Sequence, residues 1–204
     1  MRAVIFDLGG VLIDWNPRHL YRKLFPGDEA AMERFLGEIC TMEWHLQHDA
    51  GRPFAETCAE LKLRHPGHDG LIDAFATRHD EMTAGAIPGT VALLERLAAG
   101  GMPLYAITNY PAETFPKAQG KFPFLALFRD VAVSGRERIL KPDAELFRIL
   151  FRRNNIVPEQ AIFIDDSIKN VDAARALGLH AIHFGSPDQL AQEMARLGVL
   201  RAGA

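Results

Sequence analysis

The first predicted element is a strand near the start of the chain, where the apolar run Ala3 to Phe6 leads directly into Asp7. Two glycines, Gly9 and Gly10, follow within three residues. A continuous apolar run that ends in a turn signal is typical of a strand buried on both faces of a parallel sheet. Open α/β folds bind ligands at the carboxyl ends of such strands, so Asp7 is a candidate nucleophile or metal ligand. A cap on the next turn explains the same carboxylate equally well.

The hydrophobic pattern changes to helical spacing after Asp14, and no further strand is expected for about seventy residues. Apolar positions three and four apart, interrupted by Pro, Gly and Asp, predict five helices: 17–25, 29–39, 42–48, one that opens at Pro53, and 70–82. The all-helical block 15–83 is therefore predicted to be an insertion after the first strand.

The later part of the chain alternates between strands and amphipathic helices of about ten residues. Strands are predicted over 103–107, 130–133, 161–164 and 180–184. This alternation predicts βαβ units and a parallel sheet, and hence an α/β fold. Residues 1–14 and 84–204 are expected to form the core domain, and 15–83 a separate helical domain.

Composition narrows the class of protein. The 204 residues are 48% hydrophobic and 24% charged, with a formal net charge of -3, as in ordinary soluble domains. Without a polybasic surface, nucleic acid and anionic membranes are poor partners. No apolar run is long enough for a membrane span, and the start lacks the layout of a signal peptide. With two cysteines and no disulfide framework, a cytoplasmic protein is expected. The oligomeric state is not specified by these features.

Polar residues follow three of the predicted strands. Asp7 follows the first, the pair Thr108-Asn109 the second and the pair Asp165-Asp166 the fourth, while Lys141 lies on a loop that enters a helix. Because parallel strands end at the same edge of a sheet, these groups are expected to share one crevice. Each has a simpler explanation alone, as a turn, a solvated charge or a helix N-terminus, but together they favour a functional site.

The chemistry of this set points to phosphoryl transfer. Three carboxylates in one place repel one another unless a cation is bound, and a few hard oxygen ligands with room for water suit Mg²⁺. A metal and a lysine would neutralise charge on phosphoryl oxygens, while a threonine hydroxyl and neighbouring backbone N–H groups bind another oxygen. A carboxylate left free could attack phosphorus and form an aspartyl-phosphate.

Four ordered segments make the chain resemble the haloacid dehalogenase (HAD) superfamily of hydrolases: VIFDLGGVLID, YAITN, LKPDAELF and FIDDSIKNVDAA. The resemblance implies that Asp7 is the nucleophile and that Lys141 neutralises charge. It implies phosphate binding by Thr108 and by the backbone of Leu8, Gly9 and Asn109.

The same resemblance implies a Mg²⁺ site and an overall architecture. Asp166, Asp7, the Gly9 carbonyl and, more peripherally, Asp165 would hold the metal. The core would be Rossmann-like with strand order 3-2-1-4-5, and the helical block would be a first-type cap that closes over the site.

One position departs from the pattern. Most phosphatases of the superfamily carry a second Asp two residues after the nucleophile, as a general acid for the leaving group, and Gly9 stands there. Loss of a general acid typically costs ~10²–10⁴-fold. Three explanations stay open: the leaving group departs unaided, another group supplies the proton, or the protein is not a phosphatase. The sequence resembles a branch with DLG in this motif that includes sugar-1-phosphate phosphatases, whose anomeric oxygen is a good leaving group.

Alternatives to a phosphatase also stay open. The 2-haloacid dehalogenase branch lacks the second Asp too, but it needs no metal and lacks the acidic pair Asp165-Asp166. A sugar-phosphate mutase fits less well, because reversible transfer needs the missing acid in both directions. A non-catalytic ligand-binding homologue is supported only by Gly9.

The segment 43–49 of the helical block is the best candidate for substrate selection, since it is polar and aromatic and faces the site in a first-type cap. We hypothesise that Trp44 or His48 contacts the leaving group. Alternatively, Trp44 packs inside the cap and the histidines are solvated. A metal site from His45 and His48 lacks further clustered ligands. The sequence as a whole predicts a Mg²⁺-dependent phosphatase that hydrolyses a small phosphorylated metabolite, with sugar phosphates as one candidate class, through an aspartyl-phosphate.

Overall fold

The computed structural model describes residues 1–200 and contains one parallel five-stranded sheet and one short ribbon. The strands are β1 (Ala3–Phe6), β2 (Ile13–Trp15), β3 (Thr83–Ala86), β4 (Leu104–Thr108), β5 (Asp130–Val133), β6 (Ala161–Asp165) and β7 (His180–His183). The sheet has the order β5-β4-β1-β6-β7, with every neighbouring pair parallel. Numbered among these five strands alone, the order is 3-2-1-4-5. The predicted Rossmann-like α/β fold is therefore confirmed.

Helices cover both faces of this sheet. They are α6 (Pro88–Ala99), α7 (Phe115–Lys121), the short α8 (Ser134–Glu137), α9 (Ala144–Asn154), α10 (Ile168–Ala176) and α11 (Pro187–Arg196), with 3₁₀ turns over Pro123–Leu127 and Pro158–Gln160. Every residue of the central strands β1, β4 and β6 is buried. Alternate residues of β1 enter two different clusters, Val4 and Phe6 on one face, Ala3 and Ile5 on the other. A continuous apolar run is what a strand covered on both faces requires.

Five helices lie between β2 and β3, followed by a 3₁₀ turn: α1 (Arg18–Leu24), α2 (Glu29–Glu38), α3 (Met42–Asp49), α4 (Phe54–Arg64), α5 (Asp69–Thr77) and the turn His79–Met82. This helical block has a hydrophobic cluster of its own, around Tyr21, Met32 and Phe75. We propose that it acts as a cap domain, and we refer to it below as the cap.

The ribbon of β2 and β3 is not among the predicted strands, whereas the stretch 16–82 between them contains helices and no strand, as expected. Ile13 pairs with Ala86 and Asp14 with Gly85 in an antiparallel ladder. β2 has only three residues, and β3 reads TAGA, which has little of the β-branched or aromatic character that marks a strand. The proposed domain boundaries, 14/15 and 83/84, fall inside this ribbon. The predicted helix 70–82 is divided into α5 and a 3₁₀ turn.

The helices and the two cysteines can be compared with what the sequence predicts. Within residues 1–200, no helix is both long and apolar enough to cross a bilayer. Cys40 and Cys58 are both free and buried in the cap. Their thiols are packing groups, since burial raises the pKa of Cys40 to about 12 and of Cys58 to about 11.

Candidate active site

The carboxyl edge of the sheet brings the predicted polar residues together. Thr108 is the last residue of β4, Asp165 is the last of β6, and Asp7 directly follows β1. The Asp7 backbone N–H donates to the Ile164 carbonyl and so extends the ladder past the end of β1. The Leu8 backbone N–H donates to Asp7 Oδ1 at 2.7 Å. The nucleophile candidate is therefore oriented by backbone atoms on both sides.

Lys141 joins two of these carboxylates. Its Nζ lies 2.8 Å from Asp7 Oδ1 and 2.7 Å from Asp165 Oδ2. Asn109 holds the lysine backbone in place, because Lys141 N–H donates to Asn109 Oδ1 at 2.8 Å and Asn109 Nδ2 donates to the Lys141 carbonyl at 3.2 Å. Lys141 is only 5% exposed. A buried ammonium between two carboxylates is placed to neutralise charge that develops beside Asp7.

Asp165 is a fully buried organiser of the site. Besides Lys141, it accepts from the Ser167 backbone N–H at 2.8 Å and from Asn170 Nδ2 at 2.9 and 3.1 Å. These partners use most of the acceptor capacity of one carboxylate. Ser167 and Asn170 were not assigned a role from the sequence, although both stand in the fourth motif. The spacing of Asn170 five residues after Asp165, on the first turn of α10, is the signal that could have identified it.

Asp166 is the exposed member of the acidic pair and lies against Gly10. An ideal Cβ at Gly10 would lie only 2.2 Å from Asp166 Oδ2, and Gly10 has a φ of +71°. A side chain at position 10 would thus meet both backbone strain and the carboxylate. At Gly9, by contrast, an added Cβ meets nothing within 4 Å. The second glycine of the motif therefore makes room for Asp166, while the first leaves an open position.

The donor set fits a divalent cation. Asp7, Asp165 and Asp166 each offer an oxygen, and these oxygens lie within 4.8 Å of one another. Three carboxylates against the single Lys141 ammonium leave an excess of two negative charges when all are ionised. Burial raises the pKa of Asp7 to about 8 even though Lys141 opposes it, and burial also raises the pKa of Asp166. The site thus favours a proton or a cation on its carboxylates, which suits Mg²⁺.

The same surroundings favour the charged form of Lys141. Burial by itself lowers the pKa of Lys141, but the charges of Asp7 and Asp165 outweigh this effect and the pKa is raised. The ammonium is therefore protonated throughout the physiological range. A permanent positive charge at the centre of the site complements phosphoryl oxygens.

A cavity of about 670 Å³ lies between this edge and the cap. The core contributes Asp7, Gly9, Asn109, Lys141 and Asp166 to its wall. Leu8 and Thr108 are buried and are not among the lining residues, so Leu8 can contribute only through its backbone. The cap and ribbon side contributes five apolar or aromatic residues and five polar or charged ones, four of them titratable: Ile13, Trp15, Pro17, Met42 and Leu46, and Asn16, Arg18, His45, Asp49 and His79.

The structure does not bring Trp44 and His48 to the cavity. Trp44 Nε1 donates to the Thr57 carbonyl at 3.3 Å, and His48 Nε2 lies 2.6 Å from Thr57 Oγ1 with its ring stacked on Phe54. Both side chains are in the interior of the cap, because they project from the face of α3 that packs on α4. Burial lowers the pKa of His48 to about 3, so this histidine is neutral.

The opposite face of α3 lines the cavity through Met42, His45, Leu46 and Asp49. These positions follow the spacing i, i+3, i+4 and i+7, which marks one face of a helix. That periodicity groups His45 with Asp49 on one face, but it does not say which face of α3 meets the cavity. Trp15, which comes from the unpredicted ribbon, stacks on the His45 ring with centroids 4.8 Å apart.

An aspartate is held by a buried lysine next to an acidic pair, at the carboxyl edge of a doubly wound sheet. This edge is where α/β proteins of this class bind their ligands. The family pattern of the haloacid dehalogenase-like hydrolases matches residues 1–178. The chain belongs to this family.

Similar proteins include sesquiterpene phosphatase astK of Aspergillus oryzae, which is 28% identical over 196 residues, or 96% of each chain. The phosphorylated carbohydrates phosphatase of Thermotoga maritima is 27% identical over 90% of this chain and 84% of its own. A haloacid dehalogenase family enzyme of Bacteroides thetaiotaomicron, solved with magnesium and inorganic phosphate, has the same fold (TM-score 0.69, 22% identity, 91% and 95% coverage). Two other relatives are much longer, and the chain spans 36% and 19% of their lengths.

Proposed function

We propose that this protein is a Mg²⁺-dependent phosphatase that hydrolyses a small phosphorylated metabolite through an aspartyl-phosphate on Asp7. The observation that carries the proposal is the buried Lys141 ammonium, 2.8 Å from Asp7 Oδ1 and 2.7 Å from Asp165 Oδ2. The lysine keeps the Asp7 carboxylate in position for attack on phosphorus. Its positive charge would also neutralise the phosphoryl oxygens. The phosphatases among the relatives support this reaction class.

The residues at the carboxyl edge of the sheet have different roles in the proposed reaction. Asp7 attacks phosphorus, and Lys141 neutralises charge on the transferring group. The Asn109 backbone N–H would hold a phosphoryl oxygen at the wall, and the Thr108 hydroxyl and the Leu8 backbone N–H, which are buried behind the wall, would do so only where the phosphoryl group displaces the residues that cover them. Bound Mg²⁺ would supply further charge neutralisation, and the fold neighbour solved with magnesium and phosphate supports its use in the family.

The metal would be held by the remaining oxygen ligands of this edge. Asp166, Asp7 and the Gly9 carbonyl are the proposed ligands. Asp165 has most of its acceptor positions occupied by Lys141, Ser167 and Asn170, and it contributes chiefly by placing its neighbours. The acidic pair also disfavours a dehalogenase, which needs no metal.

The apolar part of the cap-side wall supports an apolar leaving group as the first substrate class, although polar residues line the same side. Trp15, Met42 and Leu46 face the core residues across the cavity, and such side chains bury apolar rather than hydroxyl-rich surface. The sesquiterpene phosphatase, which matches along nearly its whole length, supports the same class. We therefore propose the phosphate ester of an apolar alcohol first and a sugar phosphate second.

The experiment is a phosphate-release screen of prenyl, alkyl, sugar and aryl phosphates with Mg²⁺, with and without EDTA. Wild-type protein should release phosphate in an EDTA-sensitive manner, and Asp7→Asn should lower kcat by about 10⁴-fold or more while the protein stays folded by circular dichroism. Retained activity in Asp7→Asn would exclude the nucleophile. Metal-independent halide release from 2-chloropropionate would instead identify a dehalogenase.

A further inference from the structure

Phosphoryl transfer to Asp7 leaves the substrate alcohol with a negative oxygen, which is a poor leaving group unless it receives a proton. On the core wall, Asp166 is a proposed metal ligand, so no acid among the lining residues is free beside the nucleophile. Gly9 has no side chain, and the space next to it is open. If the protein is the phosphatase proposed above, on which this inference rests, the proton for an ordinary alcohol must come from another cavity residue.

Most titratable groups on the cavity wall are unsuited to this task. Lys141 is engaged with two carboxylates, and Arg18 is paired with Glu33 at 2.6 Å. Burial raises the pKa of Tyr110 to about 12 and lowers that of His79 to about 4, so neither readily supplies a proton near neutral pH. Lys169 is exposed at the start of α10 and is accessible to bulk water.

One pair of residues remains on the cap side of the cavity. His45 Nε2 lies 3.3 Å from Asp49 Oδ2, and the two side chains are only 8% and 4% exposed. The His45 ring is fixed by stacking on Trp15. The Asp49 backbone carbonyl accepts a 2.6 Å hydrogen bond from Ser134 Oγ, which ties this end of α3 to the core.

The pair also has unused hydrogen-bonding capacity. His45 Nδ1 and Asp49 Oδ1 are buried and have no hydrogen-bond partner within residues 1–200. Buried polar atoms in native structures are usually hydrogen-bonded, so these two atoms are available to a ligand or to water. Both side chains line the same cavity as Asp7 and Lys141. A histidine that shares a proton with a carboxylate is a common general acid–base arrangement.

We propose that the His45–Asp49 pair protonates the leaving group. In the first half-reaction, Asp7 forms its bond to phosphorus, the bond between phosphorus and the alcohol oxygen breaks, and that oxygen takes the proton shared by His45 Nε2 and Asp49 Oδ2. In the second, water attacks the phosphorus of the aspartyl-phosphate and both of its protons leave with the phosphate as H₂PO₄⁻, so this step does not need the pair, which regains its proton from solvent. Inorganic phosphate leaves, and the carboxylate of Asp7 and the protonated pair are restored.

The test compares two leaving groups in the same variants. Nitrophenolate departs without a proton, whereas the alkoxide of hexyl phosphate does not. With Mg²⁺ present, His45→Gln and Asp49→Asn should each lower kcat for hexyl phosphate by ~10²–10⁴-fold but leave p-nitrophenyl phosphate turnover within about threefold of wild type. Turnover of the aryl ester also shows that the variant is folded and that its nucleophile works.

Two further variants separate a proton-donating role from a structural one. Gly9→Asp places a carboxyl group in the open space beside the nucleophile, and in the His45→Gln background it should restore much of the hexyl phosphate turnover. His48→Gln is the matched control, because His48 is a buried histidine on the same helix that does not line the cavity. It should change the two activities by the same factor, if at all.

The possible outcomes distinguish this inference from the proposed function. Equal losses for both substrates in His45→Gln, or no loss for hexyl phosphate, would overturn the inference and leave the phosphatase intact. The inference would also be overturned if the wild-type protein hydrolysed p-nitrophenyl phosphate but not hexyl phosphate, because no residue would then be protonating the leaving group. If wild type releases phosphate from neither ester, the proposed function fails and this inference fails with it.

Discussion

The two walls of the cavity differ in how their polar groups are satisfied. On the core wall, Asp7, Lys141 and Asp165 form one connected network with contacts of 2.7–2.8 Å. On the cap wall, in the part of the chain that the structure describes, His79 has two buried nitrogens without a partner, and His45 and Asp49 have one unpartnered atom each. The core is thus organised before substrate arrives, whereas the cap holds polar groups whose partners are missing. This division suits constant phosphoryl chemistry on one side and substrate-dependent contacts on the other.

The largest expected effect on stability comes from breaking the core network. Lys141→Met removes the ammonium that contacts both Asp7 and Asp165 and leaves these two buried carboxylates without it. Removal of one partner from a buried ion pair typically costs ~3–5 kcal/mol, so urea unfolding in EDTA should show a loss of that order. Activity should fall as well, because charge on the phosphoryl group is no longer neutralised.

Mg²⁺ provides the control for this prediction. If the loss comes from uncompensated charge, millimolar Mg²⁺ should restore part of the stability of Lys141→Met, since a divalent cation replaces the missing positive charge. A hydrophobic change of similar size elsewhere, Met194→Ala on α11, should destabilise the protein without any such recovery. A loss in Lys141→Met that Mg²⁺ does not alter would contradict the electrostatic explanation.

The core wall could be predicted from the sequence because the topology of the sheet determines where its residues lie. Parallel strands end at one edge, so a polar residue directly after an apolar run has a defined place. Asp7, Thr108, Asp165 and Asp166 were located in this way, and the strand order followed from the family resemblance. The roles of Asn109 and Asp165 as organisers of neighbouring groups needed the structure, because a sequence shows no hydrogen bonds.

The cap wall could not be predicted in the same way, because α3 carries polar and aromatic residues on both of its faces. Trp44 and His48 pack into the cap while His45 and Asp49 face the cavity, so polar and aromatic residues occur on both sides of one helix. Their pattern cannot say which face is which. Trp15 was missed for another reason, since the ribbon that positions it depends on pairing between strands separated by the whole cap.

Acid should weaken the cap before the core. Burial lowers the pKa of His79 to about 4 and of His48 to about 3, against ~6.5 in the unfolded chain. Between pH 6.5 and 4 the unfolded chain binds these protons first, so stability is complete above pH 6.5 and falls as the pH falls. The loss has an upper bound of ~3 kcal/mol for His79 by pH 4.

Urea unfolding at pH 4 to 7.5 measures this effect. His79→Gln should give a flatter dependence of unfolding free energy on pH, and His79→Gln combined with His48→Gln should be flatter still. The comparison of slopes, rather than of absolute stabilities, removes the packing cost of each substitution. Identical acid slopes in wild type and in both variants would show that these histidines do not carry the acid sensitivity.

The smallest expected effect separates the two glycines of the first motif. Gly10→Ala forces a left-handed φ on alanine, at ~1–2 kcal/mol, and puts a methyl group against Asp166 Oδ2. The carboxylate must move, so we expect Mg²⁺ affinity to fall by about 10–100-fold, as for other losses of support to a metal ligand. Gly9→Ala meets no atom within 4 Å, and it should change stability by less than ~0.5 kcal/mol. Calorimetric Mg²⁺ titration and urea unfolding of both variants would test this, and equal effects at the two positions would show that Gly10 does not make room for Asp166.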